Sequence, residues 1–222
     1  MDRVAEPELM DTPDQARAYA EADFAAPHDR FVELFRECFP DNDLNGSAVI
    51  DLGCGPADVT LRFARRFPYC SITGIDAGPN MLALAREAIA QAGLGHRISL
   101  VQGYLPEHPL APTSCDAVIS NSLLHHLADP MALWRTIRRC AKPGALVFVM
   151  DLMRPVDAVR LDSLVDSYTR GEPEILRQDF RNSLKASYLA EEVTRQLGEA
   201  GLAGLTVRVV SDRHWIAFGR LD

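Results

Sequence analysis

An α/β fold, a doubly wound sheet of seven strands that is mostly parallel with an antiparallel C-terminal hairpin strand, is predicted by three observations. Short β-like runs alternate with helical patterns from residue 48 onward, which implies crossover units and parallel pairing. The first run, Ala48-Val-Ile-Asp-Leu-Gly-Cys-Gly-Pro-Ala-Asp58, ends in an acid and two glycines just before a helical pattern begins. Near the other end, Leu205-Thr-Val-Arg-Val-Val210 and Trp215-Ile-Ala-Phe-Gly219 are two β-rich runs joined by a tight link, the pattern of a hairpin at the sheet edge.

The elements follow in order. Thr12-Pro13-Asp14-Gln15 has the form of a capped helix start, with Thr12 as cap and Gln15 reaching back, and the helix is expected to run to about Phe24. Pro27 opens a second helix, in which Phe31, Leu34, Phe35 and Cys38 form one apolar stripe. Strands are expected near 48–53, 71–76, 98–103, 117–121 and 145–151. Between them lie helices near 56–67, with Pro56 in the first turn, near 79–92, and near 130–141, with Asp129 as cap. Residues 154–187 break the run of short links with two helices, near 157–168 and 173–184, and an insertion of that length is more often functional than structureless. Leu189 to Leu202 is the last long helix, stopped by Gly201. Right-handed crossovers put every strand's C-terminal end on one rim, where ligands of open parallel sheets bind.

The glycine loop carries the first chemical signal. Gly53 and Gly55 lack a Cβ, so the backbone can take positive φ and a ligand can approach it closely. Alone, a Gly-x-Gly is equally a loop in any α/β protein. A second strand, Ser71-Ile-Thr-Gly-Ile-Asp76, ends in a carboxylate 21 residues past Gly55, about the spacing of an acid that bonds the ribose hydroxyls of an adenosine. The third glycine of the dinucleotide fingerprint is replaced by Asp58, whose charge at the helix mouth favours the helix dipole and repels a phosphate. The expected ligand therefore carries adenosine and no phosphate.

S-adenosylmethionine has that chemistry: a ribose, a cationic sulfonium, and an amino acid tail whose ammonium can meet an acid. The sequence resembles the class I S-adenosylmethionine-dependent methyltransferases, nearest to the small-molecule enzymes of the ubiquinone and menaquinone type. The matching segments are Val49-Ile-Asp-Leu-Gly-Cys-Gly-Pro56, Gly74-Ile-Asp-Ala-Gly-Pro-Asn-Met-Leu82, Asp116-Ala-Val-Ile-Ser-Asn-Ser-Leu-Leu-His-His-Leu127 and the run from Ala141-Lys-Pro-Gly to Met150, in family order over roughly residues 45 to 153. The resemblance implies a Rossmann-like domain over 45–222 with the insertion 154–187 helping to form the acceptor pocket, and a helical cover over 1–44. It implies a cofactor site at Asp51, Gly53, Cys54, Gly55, Asp76, Ala77, Met81, Gly103, Tyr104, Leu105 and Asn121, with Tyr19 from the cover and S-adenosylhomocysteine as product. Tyr104 and Leu105 stand where the family commonly has an acid, which leaves the adenine contact to the tyrosine ring or the backbone.

Methyl transfer is a displacement at an activated sulfonium, so alignment and exclusion of water are its main requirements, and a base is needed only where the acceptor loses a proton. His126 is the first candidate for base or orienting group, followed by His125 and His214. Arg154 and Arg213 are candidates to hold an anionic part of the acceptor, and His28 to face it. Each histidine singly also fits a structural or surface role. Cys54 reads as backbone packing, since no methyl-enzyme intermediate is required. No Cys-x-x-Cys pair suggests zinc or redox work, and no metal is expected.

Composition limits the partners. The chain has 222 residues, 47% of them hydrophobic, enough to bury a core, and a formal net charge of −8. Residues 1–43 hold 12 acids and 4 bases, and neither that segment nor the rest shows the basic stripe that nucleic acid requires. A small-molecule acceptor is therefore preferred to RNA, a protein acceptor remains open, and a non-catalytic S-adenosylmethionine-binding regulator is the alternative of a different class. No apolar run is long enough to span a bilayer, and five scattered cysteines fit a reduced, cytoplasmic setting.

Overall fold

A computed structural model describes residues 1–6 and 11–222. The helices are α1 (Pro13–Glu21), α2 (Ala25–Cys38), α3 (Asp58–Arg66), α4 (Pro79–Gln91), α5 (Met131–Cys140), α6 (Ala158–Tyr168), α7 (Glu174–Ala186) and α8 (Ala190–Glu199). The strands are β1 (Ala48–Leu52), β2 (Ser71–Asp76), β3 (Ile98–Gln102), β4 (Cys115–Asn121), β5 (Ala141–Leu152), β6 (Thr206–Val209) and β7 (His214–Arg220). They form one sheet in the order β3-β2-β1-β4-β5-β7-β6, parallel except that β7 runs antiparallel between β5 and β6. The sheet order turns around between β1 and β4, and that switch point is where an open α/β sheet leaves a crevice.

Strand alternation sends side chains to opposite faces. Val49, Ile119, Phe148 and Ile216 face one layer with α2, α3 and α4, while Leu52, Val118, Val147 and Trp215 face the other with α5 and α8. The α2 stripe read from the sequence is part of the first core: Phe31 meets Phe148 edge-on at 4.9 Å and Phe35 meets Phe63 at 4.9 Å. Residues within 31–44 thus contribute to the sheet domain's own core, while among the described residues Tyr19 of α1, Asp11 and Glu6 lie at the rim. Helix α1 begins as expected, with Thr12 Oγ1 accepting from the Gln15 amide at 3.3 Å, but ends at Glu21, short of Phe24.

Two boundaries differ for local reasons. Helix α3 does not take Pro56 into its first turn, because Ala57 at its N-cap sits in the left-handed region at φ 72°. Asp129 does bond an α5 amide, Met131 N at 2.9 Å, but from just outside the cap.

Arg154 has a structural position. It is 6% exposed and donates to Ser187 O at 3.0 Å, Met1 O at 3.1 Å and Glu192 Oε1 at 2.8 Å, and Glu192 also accepts the Leu189 amide that opens α8. With those donors committed, it does not reach the crevice, which corrects its expected role at the acceptor. Arg154→Met leaves two carbonyls and a carboxylate without their donor and is expected to cost about 2–3 kcal/mol in urea denaturation. S-adenosylhomocysteine affinity, measured by calorimetry, should be unchanged; a loss there would return Arg154 to the site.

Candidate functional site

The crevice forms where β1 ends. Gly53 and Gly55 both take positive φ, 73° and 51°, and a Cβ on Gly53 would meet Leu123 at 2.9–3.0 Å, so the turn requires glycine there. Amides of Gly53 and Cys54 donate to Ile75 O at 2.8 and 3.0 Å and pin the loop to β2. The Cys54 thiol packs where a Cβ on Gly74 would sit, at 2.9 Å, and burial pushes its pKa up, as suits a packing residue. Asp76 then bridges the two loops: Oδ2 accepts the Gly55 amide at 2.8 Å and Oδ1 the Gly78 amide at 2.8 Å. Burial raises the Asp76 pKa, while those two donors pull it back.

All twelve positions expected at the cofactor border the resulting cavity: Asp51, Gly53, Cys54 and Gly55 along one wall, Asp76, Ala77 and Met81 along the next, Gly103, Tyr104 and Leu105 opposite, Asn121 at the switch point and Tyr19 above. Asp51 is 2% exposed, accepts from Thr60 Oγ1 at 2.6 Å, and has its pKa pushed up by burial to about 7. Tyr19 is pushed up to about 12, by burial first and then by Asp58, Asp76 and Asp151. Three carboxyl groups, Asp51, Asp58 and Asp76, thus border the cavity.

His126 and His28 also border the cavity. His125 and His214 do not, and neither do Arg154 and Arg213. His125 sits beneath His126, 2% exposed, with Nδ1 2.5 Å from Asp151 Oδ1. His214 is buried on β7 against Ser211 Oγ at 3.0 Å, and burial lowers its pKa to about 4. Arg213 lies 3.3 Å above the Tyr168 ring and pairs with Asp212 at 3.3 Å. The hairpin turn does emerge at the C-terminal end of β5, His214 pairing with Leu152, but its polar groups are used within the turn and against α6. Among the described residues none of α6 or α7 borders this cavity, and α7 meets the N-terminal residues through Asp179, which accepts from Gln15 Nε2 at 3.4 Å, and Ser183, which donates to Glu6 at 3.2 Å.

The helix mouth is less anionic than the sequence alone suggests. Asp58 borders the cavity, but His28 Nδ1 lies 2.6 Å from its Oδ2 and Arg62 Nε donates to it at 2.9 Å; the His28 bond, ahead of Arg62, lowers its pKa to about 2. Its charge is largely offset, so exclusion of a phosphate rests instead on Asp51 and on Asp76, which occupies the Gly55 amide a phosphate would use.

Sequence reasoning missed the N-terminal acids. Asp11 reaches across to α4, its carboxylate accepting from Met81 N at 3.0 Å and Asn80 N at 3.2 Å. Glu6, with a side chain only 5% exposed, lies 3.1 Å from His126 Nδ1 and 3.6 Å from His125 Nε2. Neither acid belongs to a motif; only a count of acids ahead of the first helix hints at them. Leu123 and Leu127 supply the apolar wall beside His126.

A family model described as a methyltransferase domain matches residues 50–149. Among curated relatives, a demethylmenaquinone methyltransferase of Listeria monocytogenes is 31% identical over 160 residues, 71% of this chain and 67% of its own length. A ubiquinone biosynthesis O-methyltransferase of Xylella fastidiosa is 32% identical over 120 residues, 53% of this chain and 47% of its own. Among solved structures, a SAM-dependent methyltransferase from Aquifex aeolicus superposes with a TM-score of 0.71 at 17% identity, covering 95% of this chain and 99% of that one. A Haemonchus contortus phosphoethanolamine N-methyltransferase solved with S-adenosylhomocysteine has a TM-score of 0.69 at 17% identity, covering 95% of this chain and 57% of that one. These two likenesses show the fold, and it is the fold expected from the sequence. With the motifs in family order and a relative of this identity over most of both chains, the protein belongs to the class I S-adenosylmethionine-dependent methyltransferases.

Proposed function

We propose that this enzyme transfers the methyl group of S-adenosylmethionine to a small-molecule acceptor held at the His126 end of the cavity, in a cytoplasmic setting. The observation that carries this reading is that Tyr19 of α1 borders the cavity and Asp11, just ahead of that helix, is bonded to Asn80 and Met81 at the start of α4, so that described N-terminal residues stand at the rim. They narrow the access a polymer would need, and the carboxyl groups of the lining oppose nucleic acid further. The quinone-type acceptors in the relatives' names are compatible with the apolar wall of Leu123 and Leu127 beside His126. Among the described residues no helix is long and apolar enough to cross a membrane.

In this reading Asp76 bonds the ribose hydroxyls, Met81 and Leu105 pack on the adenine with Tyr104 at the mouth, and Asp51 receives the ammonium of the amino acid tail. Tyr19 and Asn121 close the site around the sulfonium. The acceptor oxygen, nitrogen, sulfur or carbon would attack the methyl carbon in line with the sulfonium sulfur as the C–S bond breaks, its electron pair remaining on the sulfonium sulfur. Cover and apolar wall exclude water meanwhile.

Label from methyl-tritiated S-adenosylmethionine, supplied with a panel of quinols, catechols and amines alongside RNA and protein, should appear in the organic-extractable fraction. Label confined to acid-precipitable polymer would overturn the reading.

Asp51 gives a pH signature. Its raised folded pKa means that its contribution to stability is complete below the unfolded value near 3.8 and is lost as pH rises through about 7. An ammonium seated against it favours the ionised form, so cofactor binding near pH 6.5 should release a fraction of a proton. Calorimetry in buffers of different ionisation enthalpy reads that release; in Asp51→Asn it should vanish.

A further inference from the structure

We propose that Glu6 is a positioning residue for the His126 imidazole, so that a residue ahead of the first helix supplies the carboxylate of a carboxylate–imidazole dyad at the acceptor end of the cavity. The inference rests on the reading above, in which His126 faces the acceptor. The two residues are distant in sequence, yet Glu6 Oε1 stands 3.1 Å from His126 Nδ1, and the Glu6 side chain is only 5% exposed. That Nδ1 is a buried atom with no hydrogen bond of good geometry among the described residues, so the Glu6 carboxylate is the acceptor at hand for its proton. Bonds of this kind are often poorly aligned before ligands bind and tighten afterwards.

A second dyad holds the first. His125 Nδ1 meets Asp151 Oδ1, and its Nε2 faces the same Glu6 oxygen at 3.6 Å, with the two imidazoles 4.1 Å apart. Arg3 fixes the turn from the same N-terminal segment, donating to His125 O at 3.2 Å and, at the limit of hydrogen bonding, to Leu127 O at 3.5 Å. Burial pulls the His125 pKa down, but Asp151 and Glu6 more than offset it and the net shift is upward, so His125 carries a proton between two carboxylates. His126 is lowered, by burial first and then by the charge on His125, and is neutral at physiological pH. Asp76 from β2 and Asp179 from α7 act on it at longer range.

Glu6, His125 and His126 converge within 4.8 Å, as closely as metal ligands do. Charge decides against a cation. Two carboxylates, Glu6 and Asp151, are already balanced by protonated His125 and Arg3. A divalent ion would need neutral His125 and would leave a net positive charge next to the sulfonium.

The consequence is a tautomer. With its Nδ1 proton directed at Glu6, His126 presents an unprotonated Nε2. An acceptor hydroxyl would give its proton to Nε2 as its oxygen attacks the methyl carbon and the C–S pair stays on sulfur; the proton then leaves to solvent.

The test is nitrogen-15 NMR of the His126 ring at pH 8, with and without S-adenosylhomocysteine. The wild type should be the Nδ1-protonated tautomer in both, and Glu6→Gln should shift toward Nε2-protonated. In turnover, Glu6→Gln should lower kcat about tenfold to a hundredfold with the KM for S-adenosylmethionine unchanged. It should also move the ascending limb of the pH profile down, and Glu6→Asp should restore part of the loss. An Nε2-protonated wild type, a Glu6→Gln enzyme with the wild-type rate and pH limb, or stoichiometric Zn²⁺ binding abolished by Glu6→Gln overturns the proposal. The tautomer is read without an acceptor, so it decides even if the acceptor class proves different; failure of S-adenosylhomocysteine to bind would count against the cofactor site instead.

Discussion

Replacing Asp76 with alanine is expected to weaken S-adenosylhomocysteine binding by about a hundredfold in calorimetry, the largest effect on cofactor affinity of any single change at the site. The carboxylate does two things at once. It holds the Gly55 and Gly78 amides, each at 2.8 Å, and so fixes the glycine loop against the start of α4. It also offers its remaining lone pairs to the ribose hydroxyls. Charge-assisted bonds of this kind contribute about 1.5–3 kcal/mol, and their loss together with a loosened loop reaches that factor. Asp76→Asn keeps the shape but turns an acceptor into a donor facing amide N–H groups, so it should fall between alanine and wild type. Affinity within about threefold of wild type for the alanine variant would move the ribose elsewhere.

Replacing His126 with glutamine is expected to have the opposite profile. Turnover should fall by about 10²–10⁴-fold with a hydroxyl acceptor, the range for loss of a general base, while S-adenosylhomocysteine affinity stays within about twofold. His214→Gln serves as the contrast. That ring is buried against Ser211 and does not border the cavity, so its loss should lower thermal stability and leave the rate per folded molecule unchanged. An His126→Gln enzyme with wild-type turnover would assign the methyl transfer to alignment alone.

The cofactor half of the site is legible in the sequence because local geometry makes it. Strand, glycine turn and helix dictate where Gly53 and Gly55 must lie, and the parallel register brings Asp76 to the same rim, since Asp51 pairs with Gly74 and Leu52 with Ile75. Motif spacing therefore translates directly into space. The acceptor half is not local. Topology brings the end of β5 and the turn before β7 to the rim, but rim position does not say whether a side chain points at the crevice or is held by its neighbours. Arg154 is taken by Ser187, Met1 and Glu192, partners 33, 153 and 38 residues away. Glu6 and Asp11 reach His126 and Met81 across 120 and 70 residues, and neither lies in a periodic segment. The pairing of Asp58 with His28 was hidden in the same way, and with it the reason the helix mouth is less anionic than its sequence suggests.

A crystal structure with S-adenosylhomocysteine bound tests the central claim most directly. The ribose hydroxyls should lie within hydrogen-bond distance of Asp76, the tail ammonium against Asp51, and the sulfur should face the His126 and Leu127 wall. Density for the nucleoside outside the crevice between Gly53 and Asp76, or a sulfur turned toward Tyr104 at the mouth, would contradict it.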